Sequence, residues 1–298
     1  MGFVKRPHFE WPLRTRVMPL GEKTRVMGVL NVTPDSFSDG GLYVDSGRAV
    51  ERALRMIESG AALIDIGGES TRPGAHREVS AAEEQDRVLP VIEGILKARP
   101  EAVISIDTYK AATARACLRA GVEIVNDVSG FLWDEEMAAV CAAEACGVVL
   151  MHTRGRPNEW RGLPPLEHET VLDLVRDGLR ARLAAAVTAG VAAERVVLDP
   201  GYGFGKALDE NYPLLARQDE LLGLGRPLLV GVSRKSFLRR VLERELKGMV
   251  REAEAALSAA TVAACTAAVL AGAHIVRVHD VAPVVAAVAV ADAVLKAG

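Results

Sequence analysis

The feature that most constrains this chain is a repeated alternation. Eight short runs dominated by Val, Ile and Leu lie at 26–31, 62–67, 103–107, 123–127, 148–152, 196–199, 228–232 and 274–279. They show little alternation of polar and apolar residues, which is how a parallel strand covered on both faces reads. Between them lie helical patterns at 46–59, 81–97, 111–120, 134–146, 169–189 and 252–271, with a last one at 281–296. Eight β-then-α units in a chain of 298 residues predict an α/β fold, a (β/α)8 TIM barrel. A doubly wound sheet is the competing arrangement, and strand count alone does not separate the two. No internal repeat or low-complexity linker interrupts the pattern. The expected organisation is one barrel domain at 26–298, preceded by an N-terminal extension at 1–25 that forms a hairpin or cap across the barrel floor.

The bulk properties narrow the function. A net charge of −3 gives no basic face for nucleic acid. The four cysteines form no C-x-x-C pair and sit in Ala-rich helical context, so they read as reduced, buried thiols of a cytoplasmic protein. Residues 1–16 mix charges, prolines and aromatics and lack the apolar core of a signal peptide. Residues 255–273 carry no charge but are mostly Ala, Ser, Thr and Cys, which we read as a packed helix and not a membrane span.

The ends of the runs carry the chemistry. Seven of the eight finish in, or lead into, polar or glycine residues, among them Asn31, Asp107, Asn126, Asp199, Lys235, Arg277 and His279. In a TIM barrel these positions ring the opening where active sites sit. Any one of them could simply cap the following helix, but caps do not require Lys235, Arg277 and His279 on one rim. Asp107 and Asp199 accept hydrogen bonds, and Asn126 both donates and accepts. That set suits a flat heterocycle with an amino-pyrimidinone edge, whose carbonyl Lys235 can meet. Arg277 and His279 lie two apart on a strand, point the same way and make an oxyanion site. A rim carboxylate pairing with Arg277 is the plainer alternative. Asn31 could complete an octahedral Mg²⁺ held mainly by a substrate diphosphate and water. The Gly201-Tyr202-Gly203-Phe204-Gly205-Lys206 stretch is not a P-loop, because a glycine is missing from its slot and Ala207 follows the lysine.

Taken together, several motifs resemble the dihydropteroate synthase family. The most specific is Met27-Gly28-Val29-Leu30-Asn31-Val32-Thr33-Pro34-Asp35-Ser36-Phe37-Ser38-Asp39-Gly40-Gly41, followed by Asp65-Ile66-Gly67-Gly68-Glu69-Ser70-Thr71-Arg72-Pro73-Gly74. Ser105-Ile106-Asp107-Thr108, Asn126-Asp127, Asp199-Pro200-Gly201, Ser233-Arg234-Lys235-Ser236 and Arg277-Val278-His279-Asp280 complete the set in the family's order. The resemblance implies condensation of 6-hydroxymethyl-dihydropterin diphosphate with p-aminobenzoate, a role as sulfonamide target, and a homodimer. It implies that Asp107, Asn126, Asp199 and Lys235 hold the pterin. Thr71, Asn31, Arg277 and His279 would hold the diphosphate, with Mg²⁺ at Asn31, while Arg72 beside Thr71 adds a donor for anion or substrate. Phe37, Pro73, Ser233 and Arg234 would shape the p-aminobenzoate site, and Asp39 would order the first loop. Two departures from the family wording, Thr153 after Met151-His152 and Tyr202 after Asp199-Pro200-Gly201, remove no proposed ligand and leave the lip of the pocket open. A pterin-dependent methyltransferase or a silent pterin-binding paralogue would not be expected to keep both the first loop and Ser233-Arg234-Lys235.

Overall fold

The computed structural model describes residues 5–33, 42–69, 79–246 and 253–297 (for 42–45 the backbone only). An antiparallel hairpin comes first, β1 (Phe9–Pro12) and β2 (Val17–Leu20). Eight parallel strands follow: β3 (Arg25–Asn31), β4 (Leu63–Gly67), β5 (Ile104–Asp107), β6 (Ile124–Asp127), β7 (Gly147–Met151), β8 (Val196–Asp199), β9 (Leu229–Val230) and β10 (Ile275–Val278). They pair in the order β8-β7-β6-β5-β4-β3-β10-β9. A parallel bridge between Leu198 and Leu228 joins the two ends, helped by the Leu198 N–H donating to the Pro227 carbonyl at 2.9 Å. That closure excludes the doubly wound alternative and makes the sheet a TIM barrel.

Helices α1 (Leu42–Glu58), α2 (Ala81–Ala98), α3 (Ala111–Arg119), α4 (Met137–Glu144) and α5 (Val171–Thr188) wrap one side. The ring continues with α6 (Asn211–Ala216), α7 (Ser236–Leu246), α8 (Ala253–Leu270) and α9 (Val281–Ala297). Helix α2 shows why the boundaries fall where they do. Ser80 caps its start by accepting the Glu83 N–H, Glu83 and Glu84 sit in the positive first turn, and Lys97 sits in the last. Helix α8 is long and apolar enough to cross a membrane by length and composition. It instead buries Leu257, Thr261, Cys265 and Val269, and Gln218 Nε2 donates to the Ala268 and Ala271 carbonyls at its end.

The strands are buried on both faces, so the division of labour lies in which face each residue takes. One set, including Leu30, Ile64, Ile66, Ile104, Ile106, Val125, Leu150 and Leu198, packs outward in the large core against the helices. The other set begins at the floor with Met27, Leu63, Ile124, Val149, Val197, Leu229 and Ile275, which cluster with Trp11, Leu13, Met18 and Leu20 of the hairpin region. The hairpin therefore seals the N-terminal end of the barrel. Trp11 Nε1 donates to the Arg195 carbonyl at 2.8 Å, and Thr15 N–H donates to Glu123 at 2.8 Å. Gly147 makes room for this plug, since a Cβ there would lie 2.7 Å from Leu13.

Candidate active site

Stepping two residues along each strand from the floor keeps a side chain on the inner face. Met27 leads through Val29 to Asn31, Leu63 through Asp65 to Gly67, and Ile124 to Asn126. Val197 leads to Asp199, and Ile275 through Arg277 to His279. The register agrees: Asn31 pairs with Gly67, Gly67 with Asp107, and Asp107 with Asn126. A Cβ on Gly67 would lie 3.8 Å from both Asn31 Oδ1 and Asp107 Oδ2, so these two oxygens flank one small gap in the ring.

At the centre is Arg277. Its Nε donates to Asp65 Oδ2 at 2.6 Å and its Nη2 donates to Asp107 Oδ2 at 2.5 Å. The same Asp65 oxygen accepts from Asn126 Nδ2 at 2.9 Å. Asp65 is fully buried and anchors two residues of the ring from below. The sequence reading left it out, although an aspartate inside the buried run Leu-Ile-Asp-Ile-Gly was the available signal. Burial pulls the Arg277 guanidinium down, but Asp65 and Asp107 outweigh that and hold it above its ordinary value. Burial pushes Asp107 up to about 7, against the opposing pull of Arg277. Burial also raises Asp199, while the Gly201 N–H, donating at 2.7 Å, and Lys235 pull it back.

Lys235 follows β9 and lies against the loop after β8, with its Nζ 4.0 Å from the centre of the Phe204 ring. Ser233 Oγ is 3.1 Å from His279 Nδ1 and accepts the His279 N–H at 3.2 Å, so it holds the imidazole in place. Arg234 takes a left-handed backbone at φ 58°, which turns its exposed guanidinium toward Asp280 at 2.9 Å. Asp127, next to Asn126, faces away from the ring. It accepts the Ser129 and Phe131 N–H groups at 2.7 and 3.0 Å and so shapes the turn after β6. Phe37, Asp39, Thr71, Arg72 and Pro73 lie outside the described residues.

The loop after β8 explains the failed phosphate-loop spacing. Lys206 is buried, and its ammonium donates to the carbonyls of Gly201 at 2.8 Å and of His152 and Phe204 at 3.3 Å. It ties the loops after β7 and β8 together. Gly201 is required there, since it has φ +68° and a Cβ would lie 1.9 Å from the His152 carbonyl. Tyr202, one of the two departures from the family wording, packs into the core. Its ring is 1% exposed behind the loop, where its hydroxyl donates to Gln218 at 2.9 Å. His152 is likewise buried, and burial lowers its pKa to about 2, so its imidazole is neutral.

The architecture and this ring define a barrel enzyme with a polar pocket at the C-terminal ends of its strands. Residues 27–279 match the family model described as pterin binding enzyme, and the chain belongs to that family. Dihydropteroate synthases of this family match the chain nearly end to end. One from Synechocystis sp. is 42% identical over 96% of this chain and 95% of its own. The structure of Xanthomonas albilineans dihydropteroate synthase with 4-aminobenzoic acid is 39% identical, with a TM-score of 0.85 over 97% of this chain and 98% of that one. The Yersinia pestis dihydropteroate synthase in a sulfonamide drug complex is also 39% identical, with a TM-score of 0.85 over 98% of this chain and all of that one.

Proposed function

We propose that this chain is a dihydropteroate synthase, which joins 6-hydroxymethyl-7,8-dihydropterin diphosphate to p-aminobenzoate and releases diphosphate and 7,8-dihydropteroate. The observation that carries the reading is the convergence of Asp107, Asn126, Asp199, Lys235 and Arg277 on one end of a pterin-family barrel. Asp107, Asn126 and Asp199 present acceptors and an amide to the pterin edge, and Lys235 donates to its carbonyl. Diphosphate leaves the pterin methylene, and Arg277 and His279 stabilise the departing charge. The pocket carboxylates favour the positive charge that develops on the pterin. The amine of p-aminobenzoate is already neutral near pH 7, so it needs positioning more than deprotonation. We assign Ser233 and Arg234 to the p-aminobenzoate side, with Phe37 and Pro73. Thr71 and Arg72 complete the diphosphate side, and Asp39 orders the first loop.

Asn31 Oδ1, beside Asp107 Oδ2, is an oxygen donor of the kind a hard cation takes, so the residues fit Mg²⁺ completed by diphosphate oxygens and water. Bound there, Mg²⁺ would neutralise charge on the leaving group. We also propose a homodimer. Ala255, Ala259, Ala263 and Ala267 expose every fourth residue of α8, and Val290 and Val294 are exposed on α9, which packs against it; such exposed apolar positions support self-association. The four buried thiols support a cytoplasmic enzyme. In this reading residues 26–298 carry the reaction, residues 1–25 close the floor, and sulfonamides compete with p-aminobenzoate.

The test is direct. Purified protein with the pterin diphosphate, p-aminobenzoate and Mg²⁺ should release diphosphate and form dihydropteroate, identified by mass. No product under those conditions rejects the assignment.

A further inference from the structure

Arg277 and the carboxylates of the site neutralise one another in a way that the proposed ligands must undo. Arg277 is held at two points, by Asp65 through Nε at 2.6 Å and by Asp107 through Nη2 at 2.5 Å. The two carboxylates differ in reach. The Asp65 side chain is 0% exposed, lies one inner-face step below the rim, and also fixes Asn126. The Asp107 side chain is 16% exposed and stands in the rim itself. A guanidinium binds a phosphate oxyanion best through parallel N–H bonds from its fork. Two of its five N–H donors are committed to these carboxylates, so an incoming anion meets a cation whose charge is already paired.

We propose that Arg277 works as a latch, anchored on Asp65 and exchangeable on Asp107. A ligand that presents N–H donors to Asp107 takes over that carboxylate and frees Nη2, and the site then binds an anion that it holds weakly when empty. Asp65 is a positioning residue, because it keeps the released guanidinium aimed across the mouth toward the side where Ser233 holds His279. The inference rests on the pterin reading and deepens it: one substrate's ring prepares the site for its own diphosphate. Thermodynamic linkage makes the effect reciprocal, so diphosphate must tighten pterin binding by the same factor.

Calorimetry on the full chain at pH 8, above the Asp107 value, and at fixed Mg²⁺ tests this. Inorganic diphosphate is titrated with and without saturating 6-hydroxymethylpterin. The latch predicts that the pterin tightens diphosphate binding by about tenfold or more, within the usual range of coupling between sites. In Asp107→Asn, which lacks the charge that holds Nη2, diphosphate should bind the empty site as tightly as it binds the pterin-loaded wild type. Adding pterin should then change nothing. Asp65→Asn should weaken diphosphate binding to the pterin-loaded site by about tenfold, whereas a merely structural role for Asp65 leaves that affinity unchanged in the folded protein. Equal diphosphate affinity with and without pterin in the wild type overturns the latch. So does coupling that survives in Asp107→Asn, and an unaffected Asp65→Asn overturns the positioning role. If the pterin does not bind the wild type at all, the pterin reading fails, an outcome distinct from binding without coupling.

Discussion

The two ends of this barrel are built from the same strands and have opposite chemistry. At the N-terminal end the inner face carries Met27, Leu63, Ile124, Val149, Val197, Leu229 and Ile275, stoppered by Trp11, Leu13 and Leu20. Two or four residues further along, the same face carries Asn31, Asp65, Asp107, Asn126, Asp199 and Arg277. The floor excludes water and pays for order through apolar burial. The mouth gathers buried charge, which is tolerable only because each carboxylate has a donor. The difference teaches that function in this fold is assigned by layer along the strand and not by strand.

Several substitutions would break or sharpen that contrast. The largest effect is expected at the mouth. Lys235→Ala removes the cation opposite Asp199 and should cut kcat/KM by roughly 100- to 1000-fold with little change in melting temperature. A loss below threefold would show that Lys235 does not serve the substrate. At the floor the pattern should invert. Trp11→Ala leaves a large cavity in the plug and should cost about 3–5 kcal/mol of stability. Its turnover, measured well below the new midpoint, should stay within about threefold of wild type. Equal damage to both properties would mean the two ends are not independent.

A third prediction uses pH. Burial raises Asp107 to about 7, above the ordinary carboxylate value of 3.8, so the folded protein holds that proton longer than the unfolded chain. This group's contribution to stability therefore falls as pH rises from about 4 to about 7. A ligand needing the ionised carboxylate binds more weakly as pH drops below about 7, approaching tenfold per unit. Asp107→Asn should flatten that dependence in calorimetric titrations from pH 8 to 5. The smallest effect is expected at Arg234, which is exposed and paired with Asp280. Arg234→Ala should raise KM for p-aminobenzoate by about tenfold while pterin affinity changes less than twofold. Equal weakening of both would remove it from the p-aminobenzoate side.

Much of this was legible in the sequence, for identifiable reasons. The eight strands fall within a few residues of the apolar runs because strands buried on both faces leave few choices of residue. The crossover from β8 to β9 was harder, since α6 spans only Asn211–Ala216 and carries little periodicity. Strand count alone left the doubly wound sheet open, and the bridge between Leu198 and Leu228 closes the predicted (β/α)8 barrel. The ring residues stood out because polar groups at the ends of apolar runs are conspicuous. Asp65 did not, because it sits inside its run and its role appears only once Arg277, 212 positions away, folds against it. Asp127, beside Asn126 in the motif, stays out of the ring, since alternation turns it from the pocket. Tyr202 follows the same logic, being in the motif but facing the helices.

The contrast between the ends rests most directly on one calorimetric comparison. A 6-hydroxymethylpterin is titrated into wild type, Asp199→Asn and Trp11→Ala at a temperature where all three are folded. Wild type and Trp11→Ala should bind alike, and Asp199→Asn should bind roughly 100-fold more weakly. Binding by Asp199→Asn as tight as wild type would contradict this, because the pterin would then be held somewhere other than the charged mouth of the barrel.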